Sequence, residues 1–423
     1  MRDKILLIGF LLCTLFSGCT AESRTETADT NLLKSFRLYS DGGYHHASID
    51  YESHVANVAG IKYGDTVQDV MYSLADGAEI SPDPEEFIGK WPEQQSFTVR
   101  KGDEEEVYDV VLQDFAGNSA KKVVFAYMMP FSSNFESVMD SMDWSCITHI
   151  LPSFCYVNAD GTLDSSDIDR YIEQIRDAAH ADGVEVVMSF RSKGEFTEAV
   201  STEESREILV NNIIDYVERY DLDGVDIDYE EYEVLEDNIP KLLSFFSLLR
   251  SEMPEGHVLT CAMNGGAWLD YGTEWHESFD YVNLMSYGHL DGSGNPCQHS
   301  SFELLKTHVA RLHEVHGIPY SKILAGMPFY GFTWDEGIPG TDASGAVSFG
   351  NIVNYFKADY PEVVNVDQIK NTYYNGKDTI REKCGYAKDT GLGGVMIWQL
   401  SQDALSDGDK LLDVVGEVML EDN

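Results

Sequence analysis

The chain has 423 residues, with 29 Lys and Arg against 73 Asp and Glu and a formal net charge of −44. That length gives room for two or three domains with a sizeable core, and the composition is that of an ordinary globular protein. The acidic excess argues against a polyanion such as nucleic acid as partner and is compatible with a neutral ligand such as a glycan.

The N-terminal stretch MRDKILLIGFLLCTLFSGCTAES carries Arg2 and Lys4, an apolar run short for a bilayer span, and small residues before Cys19. It resembles a bacterial lipoprotein signal, with Phe16-Ser17-Gly18-Cys19 as the lipobox and Phe16 where leucine is usual. The resemblance implies a signal peptide over 1–19, lipidation of Cys19 and a polar tether over 20–30. It also implies an exported protein anchored by lipid to a cell-envelope membrane, the outer membrane being expected and its face left open. A simple secretory peptide is the alternative. Cys146, Cys155, Cys261, Cys297 and Cys384 remain beyond that segment, scattered without a disulfide framework or metal-ligand spacing.

Residues 31–117 are poor in helix signals and rich in turns. SPDPEEF punctuates them, and SFTVRKGDEEEVYDVVL reads as a hairpin with Phe97 and Val99 on one strand and Tyr108, Val110 and Leu112 on the other. A small all-β sandwich is expected there. It is similar in composition to the immunoglobulin-like modules that precede catalytic domains in exported bacterial enzymes, and a spacer role follows. AGNSAKK, 116–122, reads as the linker.

From residue 122 the rhythm becomes apolar strand followed by amphipathic helix. The strands are KVVFAY, CITHILPSF, VEVVMSF, DGVDIDYE, HVLTCAM, YVNLMSY, ILAGMPFYG and GGVMIWQL, with helical patterns such as DIDRYIEQIRDAAHADG and SREILVNNIIDYVERYD between them. Eight such units over 121–420 predict an α/β fold of the (β/α)8 TIM barrel type, whose chemistry sits at the C-terminal ends of the strands.

The fourth strand opens LDGVDIDYEEYE, which packs six carboxylates into residues 222–233. Side chains alternate along a strand, so Val225, Ile227 and Tyr229 face the helices while Asp226, Asp228 and Glu230 face the barrel interior, with Glu230 uppermost. Carboxylates about 7 Å apart on one face of a low-dielectric interior cannot all ionise freely, so at least one holds a proton. A protonated acid beside an ionised partner is what glycosidases use. A calcium loop does not fit, because no glycine falls at the sixth position counted from Asp221, Asp223 or Asp226.

Asp223-Gly224-Val225-Asp226-Ile227-Asp228-Tyr229-Glu230 resembles the D-G-x-D-x-D-x-E signature of family 18 glycoside hydrolases, the chitinase family. Later stretches resemble the family's landmarks in order: Met285-Ser286-Tyr287, Gly326-Met327-Pro328-Phe329-Tyr330-Gly331, and Gly394-Val395-Met396-Ile397-Trp398. The resemblance implies Glu230 as general acid and then base, Asp228 as the group that holds the substrate's acetamido group, and Asp226 as its proton-sharing neighbour. It implies that Tyr127 and Ser189 steady Asp226, that Tyr287 binds the acetamido carbonyl, and that Trp398 floors the reacting sugar, with Met285 and Tyr330 beside it. No cofactor or metal is called for. The substrate's own acetamido oxygen then serves as nucleophile.

Two departures stand out. The family's S-x-G-G reads Ser189-Phe190-Arg191-Ser192, and its M-x-Y-D ends in Gly288. Between Trp334 and FGNIVNYF the sequence leaves no room for the small α+β insertion of many chitinases, so a shallow open cleft is expected, with Trp268 and Trp334 as candidate sugar platforms. The expected activity is hydrolysis of β-1,4 linkages after N-acetylglucosamine by a monomer. The alternatives are an endo-β-N-acetylglucosaminidase acting on N-glycan cores and a non-catalytic glycan-binding protein. Retention of Glu230 weighs against the last.

Overall fold

The computed structural model describes residues 31–420 except 41–42, 52, 60, 62–65, 76, 93, 103, 114–121, 232–237, 255, 266–274, 289, 291–294 and 296. The expectations for the signal segment, Cys19 and Trp268 lie outside the described residues. Among those described, no helix is long and apolar enough to cross a membrane.

Seven strands occupy the N-terminal part: β1 (Leu33–Ser40), β2 (Gly43–Asp50), β3 (Val55–Ala59), β4 (Asp69–Leu74), β5 (Glu79–Ser81), β6 (Gln94–Lys101) and β7 (Glu104–Gln113), in the order β4-β1-β2-β3-β7-β6-β5. The hairpin read from the sequence is β6–β7, with Phe97 directly opposite Tyr108. Alternation puts Phe97, Val99, Tyr108, Val110 and Leu112 on one buried face, where they join Phe36 and Trp91. SPDPEEF forms a single 3-10 turn, Pro84–Phe87, capped by the Asp83 side chain accepting from the Glu85 amide. The first half of β2 pairs with β1 and its second half with β3, so one strand passes between two groups of partners.

The eight strand segments anticipated from 122 onward close into a parallel barrel: β8 (Val123–Met128), β9 (His149–Val157), β11 (Glu185–Ser192), β12 (Gly224–Asp228), β13 (Val258–Asn264), β14 (Tyr281–Met285), β15 (Ile323–Pro328) and β20 (Gly394–Trp398). β20 pairs with β8, which pairs with β9, completing the ring. A two-residue strand, β10 (Leu163–Asp164), folds back on β9. Strand parity sorts the side chains into two layers. Val123, Phe125, Leu151, Val187, Leu324 and Met396 fill the interior. Val124, Val186, Val225, Ile227, Leu259, Val282 and Ile397 pack outward against the helices.

The surrounding helices are α1 (Phe135–Ser141), α2 (Asp169–Ala181), α3 (Phe196–Ala199), α4 (Glu203–Tyr220), α5 (Ile239–Glu252), α6 (Phe302–Glu314), α8 (Lys377–Asp389) and α9 (Leu411–Leu420); α7 (Phe349–Phe356) belongs elsewhere. Helix α4 shows how its sequence fixes its ends. A Thr202–Ser205 capping box starts it and Asp221, at φ 53°, stops it in the left-handed region. After β13 the described residues form a 3-10 turn, Trp275–Ser278, and the rest of that connection lies outside the described residues. Phe279 buries its ring against Phe246 of α5, and Trp275 packs on Phe279.

The expectation of no inserted α+β unit is corrected. Between β15 and α8 the chain builds an antiparallel sheet of β16 (Tyr330–Thr333), β17 (Ala346–Ser348), β18 (Gln368–Ile369) and β19 (Thr372–Tyr373), in the order β17-β16-β19-β18. The FGNIVNYF helix is α7 of this unit, packing Phe349 on Tyr374 and Phe356 on Tyr360. Measuring only the gap between Trp334 and Phe349 missed it, because the insertion continues past that helix to residue 376. Of this unit, Tyr330 lines the cavity of the inward carboxylates.

Candidate active site

Of the six carboxylates of the acidic run, Glu233 lies outside the described residues and the other five divide into two structural anchors and three inward carboxylates. At its start, Asp223 Oδ2 accepts from the Val186 amide at 2.7 Å and lies 2.8 Å from His180 Nε2, tying the entry of β12 to β11. At its end, Glu231 accepts from the Ser192 hydroxyl, the Phe196 and Thr197 amides and the Thr197 hydroxyl. Those hydrogen bonds hold Glu231 below the usual carboxylate range although burial, the largest single influence, works the other way.

Asp226, Asp228 and Glu230 lie between these anchors. Asp226 is fully buried and takes four hydrogen bonds: Tyr127 OH at 2.9 Å, Ser189 Oγ at 2.7 Å, Thr260 Oγ1 at 2.7 Å and Asn283 Nδ2 at 3.0 Å. Burial still raises it above the ordinary value, with the four donors opposing. The sequence reading placed Tyr127 and Ser189 beside Asp226, which is where they stand. It missed Thr260 and Asn283, single polar residues at inward positions of β13 and β14.

Asp228, 3 % exposed, is held well above the usual range first by burial and then by the Glu230 carboxylate, with Arg191 opposing. Its Oδ1 is buried and has no hydrogen-bond partner among the described residues. A buried carboxylate oxygen left unpaired in a cavity is a place for a ligand donor. Arg191 sits in register with Asp228 on the neighbouring strand. Its guanidinium reaches Glu230 Oε2 at 2.5 Å and Asp228 Oδ2 at 3.5 Å. The departure from the family pattern thus places a cation on the catalytic candidates themselves.

Asp228 and Glu230 line a cavity of about 270 Å³ together with Tyr127, Arg191, Met285, Tyr287, Tyr330 and Trp398. Trp398 rests on Phe154, with ring centroids 5.8 Å apart and planes at 23°, and on Tyr127 at 5.3 Å. Tyr287 meets Tyr330 edge to face at 6.1 Å. Gly326 makes room for this pair: a Cβ there would fall 2.2 Å from Leu284 O and 2.9 Å from Tyr287 Cε1. Gly288, where M-x-Y-D has its acid, takes φ 77°, and its amide donates to His299 Nδ1 at 3.1 Å. Trp334 packs edge-on against Tyr373 of the small sheet and does not line this cavity. The cavity also takes in Ala262, Asn264 and Met396, which sequence reasoning had not singled out.

The profile of the Glycosyl hydrolases family 18 matches residues 123–403, and that of a Domain of unknown function (DUF4971) matches residues 1–129. Chitinase A1 of Niallia circulans is 25% identical over 279 residues, covering 49% of this chain and 38% of that protein. Chitotriosidase-1 of Mus musculus is 24% identical over 267 residues, and the matched part is 55% of its length. Among solved structures, a chitinase from Bacteroides thetaiotaomicron superposes with TM-score 0.68 at 39% identity, over 71% of this chain and 97% of that one. A chitinase from the chitin utilization locus of Flavobacterium johnsoniae superposes with TM-score 0.59 at 25% identity, over 71% and 94%. The profile match takes in the barrel from β8 to β20 with all three inward carboxylates, and the chain belongs to family 18 of the glycosyl hydrolases.

Proposed function

We propose that the chain hydrolyses β-1,4 linkages that follow N-acetylglucosamine, with chitinase-type action on chitin oligosaccharides. The observation that carries this reading is Asp228: a buried carboxylate, raised well above its usual range, with one oxygen unpartnered in the cavity and Tyr287 lining the same space.

The geometry suits a mechanism without an enzyme nucleophile. A retaining glycosidase that attacks with its own carboxylate needs that group on the ring face opposite the acid, about 5–5.5 Å away from it. Here the carboxylates rise from one strand, and Asp228 is one inward step below Glu230. In the proposed route, Glu230 gives a proton to the leaving oxygen as the acetamido oxygen of the substrate attacks C1 and the glycosidic bond breaks. The acetamido N–H donates to Asp228, which stabilises the resulting oxazolinium ion. Water, losing its proton to Glu230, reopens it with net retention. Trp398 supports the reacting sugar from below.

The relatives named as chitinases support this substrate class. We read residues 31–117 as a small β-sandwich serving as spacer, and Cys19 as the lipid anchor of an envelope protein. Incubating the purified protein with chitin oligosaccharides and with a high-mannose N-glycoprotein, and reading products by mass, tests the assignment. Shortened N-acetylglucosamine oligomers are expected. Release of the N-glycan alone would reassign the protein to endo-β-N-acetylglucosaminidase action, and no product from either would leave it a glycan binder.

A further inference from the structure

Glu230 and Arg191 line two cavities. Besides the one that holds Trp398 and Tyr287, they border a second of about 420 Å³, whose other walls include Tyr156, Ser192, Lys193 and Glu231. On the reading above, on which this inference rests, Glu230 protonates the oxygen that joins the reacting sugar to the leaving sugar. A sugar seated over Trp398 therefore sends its leaving partner past Glu230 into the second cavity. A row of rings connects the two: Trp398 to Phe154 at 5.8 Å and Phe154 to Tyr156 at 6.2 Å.

Cations stand over that row. The Arg191 guanidinium lies 5.2 Å from the Phe154 ring centroid, and Lys193 Nζ lies 4.1 Å from that of Tyr156. In a chain of net charge −44, the two basic residues here match the two carboxylates of the cavity lining, a local balance that the rest of the chain lacks. Glu230 pairs with Arg191. The reaction, however, starts from Glu230 carrying a proton, which removes one of the second cavity's two negative charges. The other, Glu231, keeps both oxygens on Ser192, Thr197 and the amides of Phe196 and Thr197. Among the described residues that line this cavity, Glu231 is then the one carboxylate still charged beside Arg191 and Lys193. Remote acids are screened beyond about 8 Å at physiological salt, whereas Arg191, 31 % exposed, acts at contact distance. A guanidinium fork binds a carboxylate or sulfate through paired hydrogen bonds, and the family pattern has glycine at its position.

We propose that the second cavity is the leaving-group site and that Arg191 and Lys193 select a leaving sugar bearing an anionic substituent, a carboxylate or a sulfate. Three trisaccharides test this, each built on N,N′-diacetylchitobiose: one with N-acetylglucosamine as the leaving unit, one with its 6-sulfate, and one with its 3-O-lactyl carboxylate. For the wild type, kcat/KM on a charged substrate is expected to exceed that on the neutral one by about tenfold, the size of one charge-assisted hydrogen bond, and the two charged arms identify the anion. The ratio falls to about 1 in Arg191→Gly, falls in part in Lys193→Gln, and is partly kept in Arg191→Lys; taken within each protein, it is insensitive to the amount folded. Glu230→Gln, neutral at that position, binds the preferred charged trisaccharide more tightly than the neutral one by calorimetry, and Glu230→Gln with Arg191→Gly does not. Equal ratios in wild type and Arg191→Gly, or a preference for the neutral substrate, overturn this assignment and leave the hydrolase reading standing. No cleavage of any trisaccharide by the wild type, with no binding by Glu230→Gln, overturns both.

Discussion

The floor and the mouth of the barrel carry carboxylates two residues apart on one strand and treat them in opposite ways. On the floor, Asp226 takes hydrogen bonds from four strands, through Tyr127, Ser189, Thr260 and Asn283. At the mouth, Asp228 keeps an oxygen with no partner among the described residues, and Glu230 shares one guanidinium with it. A fully satisfied buried network is rigid, and an unsatisfied one retains unused binding capacity. The contrast teaches that Asp226 has its full set of partners before substrate arrives, although Asn283 Oδ1 beside it has none among the described residues, whereas Asp228 keeps an oxygen for the substrate.

Removing the mouth's acid breaks the comparison at its functional end. Glu230→Gln is expected to lower kcat by about 10²- to 10⁴-fold while the floor network and the fold survive, as loss of a general acid does. Oligosaccharide binding and the melting curve should stay near wild type. Turnover close to wild type would remove Glu230 from the chemistry. Asp226→Ala breaks the other end, because four buried donors from β8, β11, β13 and β14 lose their acceptor. A stability loss of about 3 kcal/mol or more is expected, as for breaking a buried polar network, read from urea unfolding and accompanied by loss of activity. Unchanged stability with activity lost would mean that Asp226 matters only to the reaction.

The sequence made the scaffold easier to read than the mouth, and the reasons are physical. Most of the eight barrel strands carry a run of apolar residues buried on both faces, so their positions stand out without knowledge of their partners, and β12 stands out instead by its alternating aspartates. The inward parity of Asp226, Asp228 and Glu230 follows from period-two alternation alone. Thr260 and Asn283 carried a usable signal, since a polar side chain at an inward strand position must satisfy something. Arg191 was visible as a departure, but its pairing with Glu230 depends on the register of β11 against β12, which local pattern does not reveal. The small sheet escaped notice because β18 and β19 have two residues each, too few to show alternation. Trp334 illustrates the limit of counting aromatics: its neighbour is Tyr373, set by an antiparallel sheet that the sequence did not disclose.

Trp398 joins the two regions, lining the cavity while resting on Phe154 and Tyr127. Trp398→Ala should weaken oligosaccharide binding by about tenfold, the loss of one stacked ring at about 1–1.5 kcal/mol. The destabilisation should fall below the roughly 3–5 kcal/mol of a fully buried tryptophan, because one part of the ring already faces the cavity. Isotherms beside melting curves separate the two effects. A folded variant with unchanged sugar affinity would make Trp398 a core residue.

The smallest effect comes at the boundary between floor and mouth, where Asp228 sits. Burial first, and the Glu230 charge second, raise its folded-state value well above that of an ordinary carboxylate, while in the unfolded chain it titrates normally. Between those two values the folded protein holds a proton that the unfolded chain has released. The unfolded state therefore binds fewer protons, and the slope of stability with pH is negative. The contribution is fully present below the ordinary carboxylate range and is lost as pH rises toward the raised value. Asparagine cannot ionise, so Asp228→Asn removes that loss. Its Tm should exceed that of the wild type by about 2 °C or more at pH 7, given about 2–4 °C per kcal/mol for domains of roughly this size, and the gap should shrink toward pH 4. Asp403, pushed up to about 7 by burial, gives both proteins a slope of the same sign, so the difference between the two curves isolates Asp228. The same variant is expected to lose activity, since an amide cannot ionise to balance the charge of the oxazolinium ion. A gap that stays constant with pH, or a variant less stable than wild type at neutral pH, would mean that Asp228 is as well satisfied as Asp226 and that floor and mouth do not differ in the way their contacts indicate.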